Sequence, residues 1–128
     1  MQLSELCTLI SVFDCNVSVE FYQTALGFEV HDQAGRPDWV WLKRGDINLM
    51  LNTMYDPDDT PQEPDPDRKR AHEDTILYFG CPDVDAAYRD LVAMGVELDP
   101  PKTAHYGMRQ LYFHDPDNYS ICLQWRSG

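Results

Sequence analysis

Residues 7–28, CTLISVFDCNVSVEFYQTALGF, and residues 76–96, ILYFGCPDVDAAYRDLVAMGV, follow the same plan, and this repeat decides the fold. Each stretch opens with a short apolar run that predicts a β-strand and continues through an aspartate that can cap a helix. Each predicted helix stops at a glycine, Gly27 or Gly95, beyond which the next extended segment begins. A pattern that occurs twice in this way indicates two copies of one supersecondary unit.

Short alternating runs after each copy predict three further strands. In the first copy these runs cover residues 28–31, 39–43 and 47–52. In the second copy they cover residues 96–98, 109–114 and 119–125. Each copy is therefore a βαβββ module. We predict an α+β protein whose two modules form a curved mixed sheet with the helices on its convex side.

An acidic, proline-rich segment separates the two modules. Residues 56–67 read DPDDTPQEPDPD, and their prolines cannot donate to a strand ladder while their six acids repel one another. We therefore predict a single domain over residues 1–128. Module one occupies about 1–55, the acidic linker about 56–71 and module two about 72–128.

The net charge limits the classes of partner, and the cysteine spacing indicates the state of the thiols. A formal net charge of −12 argues against nucleic acid and anionic membranes, because both require clustered Lys and Arg. No apolar run approaches membrane-spanning length, and the N-terminus lacks a signal-peptide pattern, so we expect a cytoplasmic protein. The four cysteines show no CxxC spacing, which predicts reduced and mostly buried thiols.

Alternation along the strands predicts one apolar face toward the helices and one mixed face that is rich in Trp, Tyr and Met. A curved sheet with such a mixed face suggests a concave ligand pocket or a subunit contact, and both interpretations stay open for the two indoles of residues 39 and 41. By the same alternation Arg109 points away from the pocket. The candidate ligand-binding residues are Trp39, Trp41, Asn48, Met50, Tyr78, Met108, Tyr112 and Cys122.

Several short motifs of the chain together resemble the vicinal oxygen chelate superfamily, which includes glyoxalase I, bleomycin-resistance proteins, extradiol dioxygenases and fosfomycin-resistance enzymes. The motifs are FY at 21–22, LGF at 26–28, DVDAA at 83–87, MGV at 94–96 and DPDNY at 115–119. Most relatives continue the DPD turn with glycine, where this chain has Asn118. The resemblance implies paired βαβββ modules and a homodimer.

The resemblance also indicates where a metal site would lie. The ligand positions of the metal-dependent families fall at Cys7, Ile76, Cys122 and either Asn48 or Met50. Isoleucine cannot bind a metal, and two thiols in place of oxygen and imidazole donors favour zinc or copper(I) over the usual hard or borderline ions. We therefore expect no cofactor and no metal ligand. Two alternatives stay open, a soft ion held by the thiols and a rescue of the site by His72.

Loss of the metal removes the Lewis acid on which the superfamily's reactions depend, so the sequence favours a binding function over catalysis. Residues 106–110, YGMRQ, followed by the DPD turn, look like the corresponding stretch of bleomycin-resistance proteins. The chain is thus interpreted as a small-molecule binder that sequesters a drug or metabolite, as in antibiotic resistance. The alternatives are a glyoxalase-like lyase, isomerase or dioxygenase with an altered metal site, and a module that serves only assembly. No catalytic residue is assigned, and His105, His114 and Tyr106 are the plausible acid–base groups near the mixed face.

Overall fold

The computed structural model describes residues 1–127 and shows two compact units, Met1–Pro64 and a second that begins at Asp65. Each unit contains a four-stranded mixed sheet with one long helix, so the α+β class and the repeated βαβββ module are confirmed. The hydrogen-bonded ladders form two separate four-stranded sheets. The unit boundary lies inside the predicted linker. Within residues 1–127, no helix is long and apolar enough to cross a membrane.

Unit one contains one helix and four strands. Its elements are β1 (Thr8–Ser11), α1 (Cys15–Leu26), β2 (Glu29–Asp32), β3 (Trp39–Arg44) and β4 (Ile47–Asn52). The strand order is β1-β4-β3-β2, in which β1 runs parallel to β4 and the other neighbours are antiparallel. The chain can place β1 beside β4 in parallel only because α1, β2 and β3 form the crossover connection between them.

Unit two repeats this order after an additional short helix. Its elements are α2 (Pro66–Ala71), β5 (Ile76–Gly80), α3 (Val84–Ala93), β6 (Lys102–Thr103), β7 (Met108–His114) and β8 (Ser120–Arg126). The strand order is β5-β8-β7-β6, again with a single parallel pair, β5 and β8. Helix α3 contacts β7 and β8, so it covers the middle of the sheet.

The two long helices begin and end where the sequence predicts. Asp14 caps α1 by accepting hydrogen bonds from the backbone N–H of Asn16 and Val17. The helix ends at Gly27, which takes the left-handed conformation with φ of 71°. The Arg44 guanidinium, on β3, donates a hydrogen bond to the last helical carbonyl, that of Leu26. The side chain of a strand thus satisfies a helix end that would otherwise lack partners.

Substitution of Gly27 by alanine should destabilise unit one more than the matched change at Gly95 destabilises unit two. Both glycines have positive φ, 71° and 85°, so a Cβ costs about 1 kcal/mol at each. A Cβ at Gly27 would also overlap Arg44 Nη1, whereas nothing lies within 4 Å of a Cβ at Gly95. The displaced guanidinium would lose its bond to Leu26, which adds about 1 kcal/mol. Urea denaturation of the two variants measures the difference, and equal losses would contradict this account.

Strand alternation places apolar side chains on one face of the central strands. At every second position they are buried: Val40, Leu42, Leu49, Leu51, Leu111, Phe113, Ile121 and Leu123. On the other face, Gln110, Ser120 and Cys122 are buried as well. Ile47, which alternation with Leu49 and Leu51 puts on the apolar face, is instead 39% exposed. It is the first residue of β4, directly after the turn at residues 45–46.

The strand predicted at residues 96–98 is wrong. This stretch is irregular, and the last strand to join the sheet is the two-residue β6, which follows Pro100 and Pro101. Lys102 pairs with Gln110 and Thr103 with Arg109, so β6 is defined by its ladder to β7 and not by an apolar pattern of its own. A two-residue polar strand has no sequence signal that differs from that of a loop.

The last third of the predicted linker, residues 56–71, contains the short helix α2. Asp65 caps this helix through the backbone N–H of Asp67, and Pro66 occupies the first turn, where its missing N–H costs nothing. Asn118 then donates from its side-chain amide to the carbonyl of Lys69. The helix is therefore attached to the turn between β7 and β8.

Candidate functional site

The mixed face of unit two contains a row of three predicted ligand-binding residues. In the ladders, Cys122 of β8 lies opposite Tyr78 of β5 on one side and opposite Tyr112 of β7 on the other. The two tyrosine hydroxyls approach to 3.3 Å, within hydrogen-bond distance. The tyrosines are 51% and 44% exposed, whereas Cys122 between them has no exposed surface. Cys122 therefore presents no surface to a ligand, because the two neighbouring strands enclose its small side chain.

This arrangement changes the acidity of two groups in the row. The hydrogen bond to Tyr78, assisted by burial and by Cys122, raises the pKa of Tyr112 well above its ordinary value. Burial likewise raises the pKa of the Cys122 thiol, since a thiolate would lose its hydration there. At neutral pH the row therefore presents the protonated phenol of Tyr112 beside the uncharged thiol of Cys122. A phenol that stays protonated acts as a hydrogen-bond donor toward a ligand.

The thiols should differ sharply in reactivity. Cys7 is exposed, whereas Cys122 is buried and its pKa is raised, so a disulfide reagent at pH 8 should modify Cys7 at least about tenfold faster. Mass spectrometry of the modified peptides at timed intervals gives both rates. Protein unfolded in urea, in which the two thiols should react alike, is the control. Equal rates in the native protein would contradict the enclosure of Cys122.

The next row along the same face contains a network of amides that we did not select as site residues. Gln110 donates from Nε2 to the hydroxyl of Tyr106 at 2.8 Å and to Oε1 of Gln124 at 2.9 Å. Its own Oε1 has no partner within residues 1–127. No buried side-chain polar atom in that range lacks a partner, so solvent reaches this oxygen. Gln110 and Gln124 lie two positions from Tyr112 and Cys122 along their strands, so alternation puts them on the same mixed face.

A cavity of about 240 Å³ lies beside these two rows, between the segment that leads into β6 and the face of β7. Gln110 and Tyr112 line it from the sheet. The other lining residues are Asp99, Pro100, Lys102 and Ala104. No sequence pattern pointed to these four, because they lie within or directly after an irregular stretch whose position depends on the β6–β7 ladder. Among the residues selected from the sequence, only Tyr112 lines this cavity.

The predicted residues of unit one form a separate group. Trp41 donates from its indole N–H to Oδ1 of Asn48 at 2.9 Å. Its ring also packs edge-on against His31 at 4.3 Å between centroids, with the ammonium of Lys43 5.7 Å away. Trp41 is thus already engaged by neighbours of its own unit. Trp39 and Met50 are half-buried on the same sheet, and Met108 is half-buried in β7 of unit two.

A second cavity, of about 310 Å³, lies at the start of α1 in unit one. It is lined by Phe13, Asp14, Cys15, Asn16, Pro37, Thr53, Tyr55, Pro57 and Thr60. None of these is a residue selected from the sequence. Its one carboxylate, that of Asp14, is already engaged as the cap of α1. The cavity of unit two therefore offers the richer set of uncommitted polar groups.

The ladders also decide which residue of β4 corresponds to a metal-ligand position. Leu9 and Tyr78 each lie five residues before the aspartate that caps the following helix. Leu9 pairs with Met50 as Tyr78 pairs with Cys122, so Met50 is the counterpart of Cys122. The four positions are thus two thiols, a thioether and Ile76. Within residues 1–127 no three His, Cys, Asp or Glu side chains could together hold a metal ion. The donor set does not fit a hard or borderline ion.

His72 is engaged elsewhere and does not rescue such a site. Its ring stacks on Tyr119 with centroids 4.1 Å apart and planes 9° from parallel. Its Nδ1 lies 2.9 Å from the carbonyl oxygen of Asp117. The side chain therefore braces the turn between β7 and β8.

Arg109 points away from the mixed face, as alternation predicts. Its guanidinium makes a bidentate pair with the Asp85 carboxylate of α3, at 2.7 and 3.1 Å. The pair lowers the pKa of Asp85 through this hydrogen bonding. Arg109 thus connects α3 to the sheet and is not a ligand contact.

Comparison with known proteins agrees with this architecture. The family model of the Glyoxalase/Bleomycin resistance protein/Dioxygenase superfamily matches residues 6–123. No curated protein matches the chain at a significant level.

Three solved structures illustrate the likeness. A glyoxalase/bleomycin resistance protein/dioxygenase from Nocardioides has 20% identity, covers 99% of this chain and 85% of its own, and superposes with a TM-score of 0.75. A protein of unknown function from Agrobacterium tumefaciens str. C58 has 26% identity, coverage of 97% and 94%, and a TM-score of 0.71. Lactoylglutathione lyase from Agrobacterium tumefaciens has 17% identity, the same two coverages, and a TM-score of 0.71.

The first and third of these likenesses show the fold alone, whereas the family model spans most of the chain and includes both modules. The resemblance inferred from the sequence motifs is therefore confirmed at the level of the superfamily. This chain belongs to the glyoxalase/bleomycin resistance protein/dioxygenase superfamily.

Proposed function

We propose that this protein binds a small molecule without a metal ion, in the manner of the bleomycin-resistance type, and that the cavity of unit two is the binding site. The proposal rests on one observation: Gln110 and Tyr112 both line that cavity, beside apolar surface from Pro100 and Ala104. Apolar walls with a few convergent polar groups are typical of ligand sites.

Each polar group has a defined capacity toward a ligand. Both N–H groups of the Gln110 amide are committed to Tyr106 and Gln124, which orient the amide and leave Oε1 to accept a hydrogen bond. Tyr112 keeps its proton, since its pKa is raised. From the sheet side, Gln110 therefore offers the cavity an oriented acceptor and Tyr112 a hydroxyl group.

The aromatic face of unit one, with Trp39, Trp41, Asn48 and Met50, stays a predicted surface for a ligand or a second subunit. The homodimer expected from the resemblance also stays a prediction. Neither is needed for binding at the cavity of unit two, since all of its lining residues belong to that unit.

A thermal-shift screen of small drugs and metabolites tests the binding function. A ligand at one hundred times its Kd stabilises the native state by about 2.7 kcal/mol, which raises Tm by about 5 °C or more for a domain of this size. Tyr112→Phe, which removes one hydroxyl of the cavity, should reduce the shift. Tyr88→Phe, the same change on α3 away from the cavity, should leave it intact. A screen without any stabilising compound would overturn the proposal.

Elemental analysis tests the absence of a metal. Protein purified without a chelator should contain well below one equivalent of any transition metal, because no matching donor set is present in the described residues. Near-stoichiometric metal that survives dialysis would instead favour the lyase, isomerase or dioxygenase alternative.

A further inference from the structure

Two opposite charges line the cavity of unit two, and neither is neutralised by the protein. Asp99 and Lys102 both border the cavity. The salt bridges within residues 1–127 join other residues: Arg36 with Asp38, Arg70 with Asp67, and Arg109 with Asp85. The side chains of Asp99 and Lys102 also make no hydrogen bond in that range. The cavity therefore has an ammonium and a carboxylate that are both available to a ligand.

The backbone holds these two charges at defined places. Lys102 is paired with Gln110 in the β6–β7 ladder, and the N–H of Ala104 donates to the carbonyl of Met108 at 2.7 Å. Asp99 is joined to Lys102 by Pro100 and Pro101, whose rings restrict the backbone between them. The separation of the charges is thus set by a short, stiff segment.

The cavity is small and partly apolar. Its volume of about 240 Å³ lies below the range of about 300–1,000 Å³ that holds drug-sized ligands. Pro100, Ala104 and the ring of Tyr112 supply apolar surface beside the charges. A ligand that matches these features has two charged groups on a small apolar body.

We infer that the cavity selects a zwitterion of amino-acid size, with the carboxylate at Lys102 and Tyr112 and the ammonium at Asp99 and Gln110. Such a ligand pairs both protein charges, whereas a singly charged ligand pairs only one of them. The inference rests on the proposed binding function and adds the class of the ligand to it.

Isothermal titration calorimetry at pH 7 with two sets of probes tests the inference. The zwitterions are L-phenylalanine and L-leucine. The matched anions, 3-phenylpropionate and 4-methylpentanoate, lack only the ammonium group, and the matched amines, 2-phenylethylamine and 3-methylbutylamine, lack only the carboxylate. At least one zwitterion should bind about tenfold or more tightly than both of its analogues. Because the analogues are smaller, poor fit cannot explain their weaker binding.

Two variants assign each charge to its partner. Lys102→Met should abolish the preference for the zwitterion over the amine, and Asp99→Asn should abolish the preference for the zwitterion over the anion. Lys69→Met on α2 and Asp90→Asn on α3 make the same charge changes outside the cavity and should keep both preferences.

The outcomes separate this inference from the proposed function. Equal affinities of a zwitterion and its two analogues would overturn the inference that the ligand is a zwitterion. So would the failure of every zwitterion to bind while the screen yields a ligand whose effect depends on Tyr112. Both outcomes leave the proposed binding function intact. The inference would also fail if Lys102→Met and Asp99→Asn reduced the preference for the zwitterion no more than their control variants do. If neither the screen nor the titrations yield a ligand, both proposals fail.

Discussion

Replacement of Tyr22 by alanine should lower the free energy of unfolding by about 3–5 kcal/mol, the usual cost of removing a buried aromatic side chain. Tyr22, on α1, has no exposed surface. Its ring makes edge-on contacts with Phe21 at 5.3 Å and with Phe28 at 5.9 Å between centroids. Alanine would leave a cavity beneath the helix that these two rings cannot fill. Domains of this size are stable by only about 5–15 kcal/mol, so the variant should be close to unfolding.

Urea denaturation followed by circular dichroism measures this loss. Tyr22→Phe is the matched control, because it keeps the ring and removes only the hydroxyl, with an expected loss of about 1 kcal/mol. If the alanine variant lost no more than the phenylalanine variant, the ring would not be the source of the stability.

Replacement of Asp115 by alanine should cost about 2–4 kcal/mol, because two buried backbone donors lose a charged acceptor. Oδ1 of Asp115 accepts from the N–H of Asp117 and of Tyr119, each at 2.9 Å. Asp115 and both of these partners are buried. The turn they form also requires Asn118 at φ of 70°, so it depends on local bonds for its shape.

Asp115→Asn separates the acceptor from the charge. The asparagine oxygen can still accept from the same N–H groups, so its loss should be less than half that of alanine. Amide hydrogen exchange should show faster opening of the turn between β7 and β8 in the alanine variant. Equal losses in the two variants would mean that the negative charge, and not the hydrogen bonds, stabilises the turn.

Much of the fold could be predicted because its signals are local. The caps at Asp14 and Asp83 and the stops at Gly27 and Gly95 are readable from a few neighbouring residues, and the structure has all four. The β4 strand was predicted with its observed bounds, Ile47–Asn52. The short helix α2 was missed although Asp65 and Pro66 form a cap and first turn, because the acidic composition around them favoured disorder.

The candidate site was predicted only in part, because burial and cavity formation depend on residues of neighbouring strands. Alternation placed Tyr78, Tyr112 and Cys122 on one face, and the ladders bring them into one row. Alternation cannot show that Cys122 is enclosed, because burial depends on the side chains of both neighbouring strands. It also cannot show that Asp99 and Lys102 lie at a cavity.

Two βαβββ modules of a known superfamily, with thiols and an isoleucine at its usual ligand positions, could be inferred from the amino-acid sequence alone. Caps, turns and period-two alternation depend on neighbouring residues, so they can be predicted without the tertiary structure. The strand ladders were needed to show that Met50 is the counterpart of Cys122 and that Lys102 pairs with Gln110. Strand register joins residues distant along the chain, and no local pattern specifies it when the strand is as short and polar as β6.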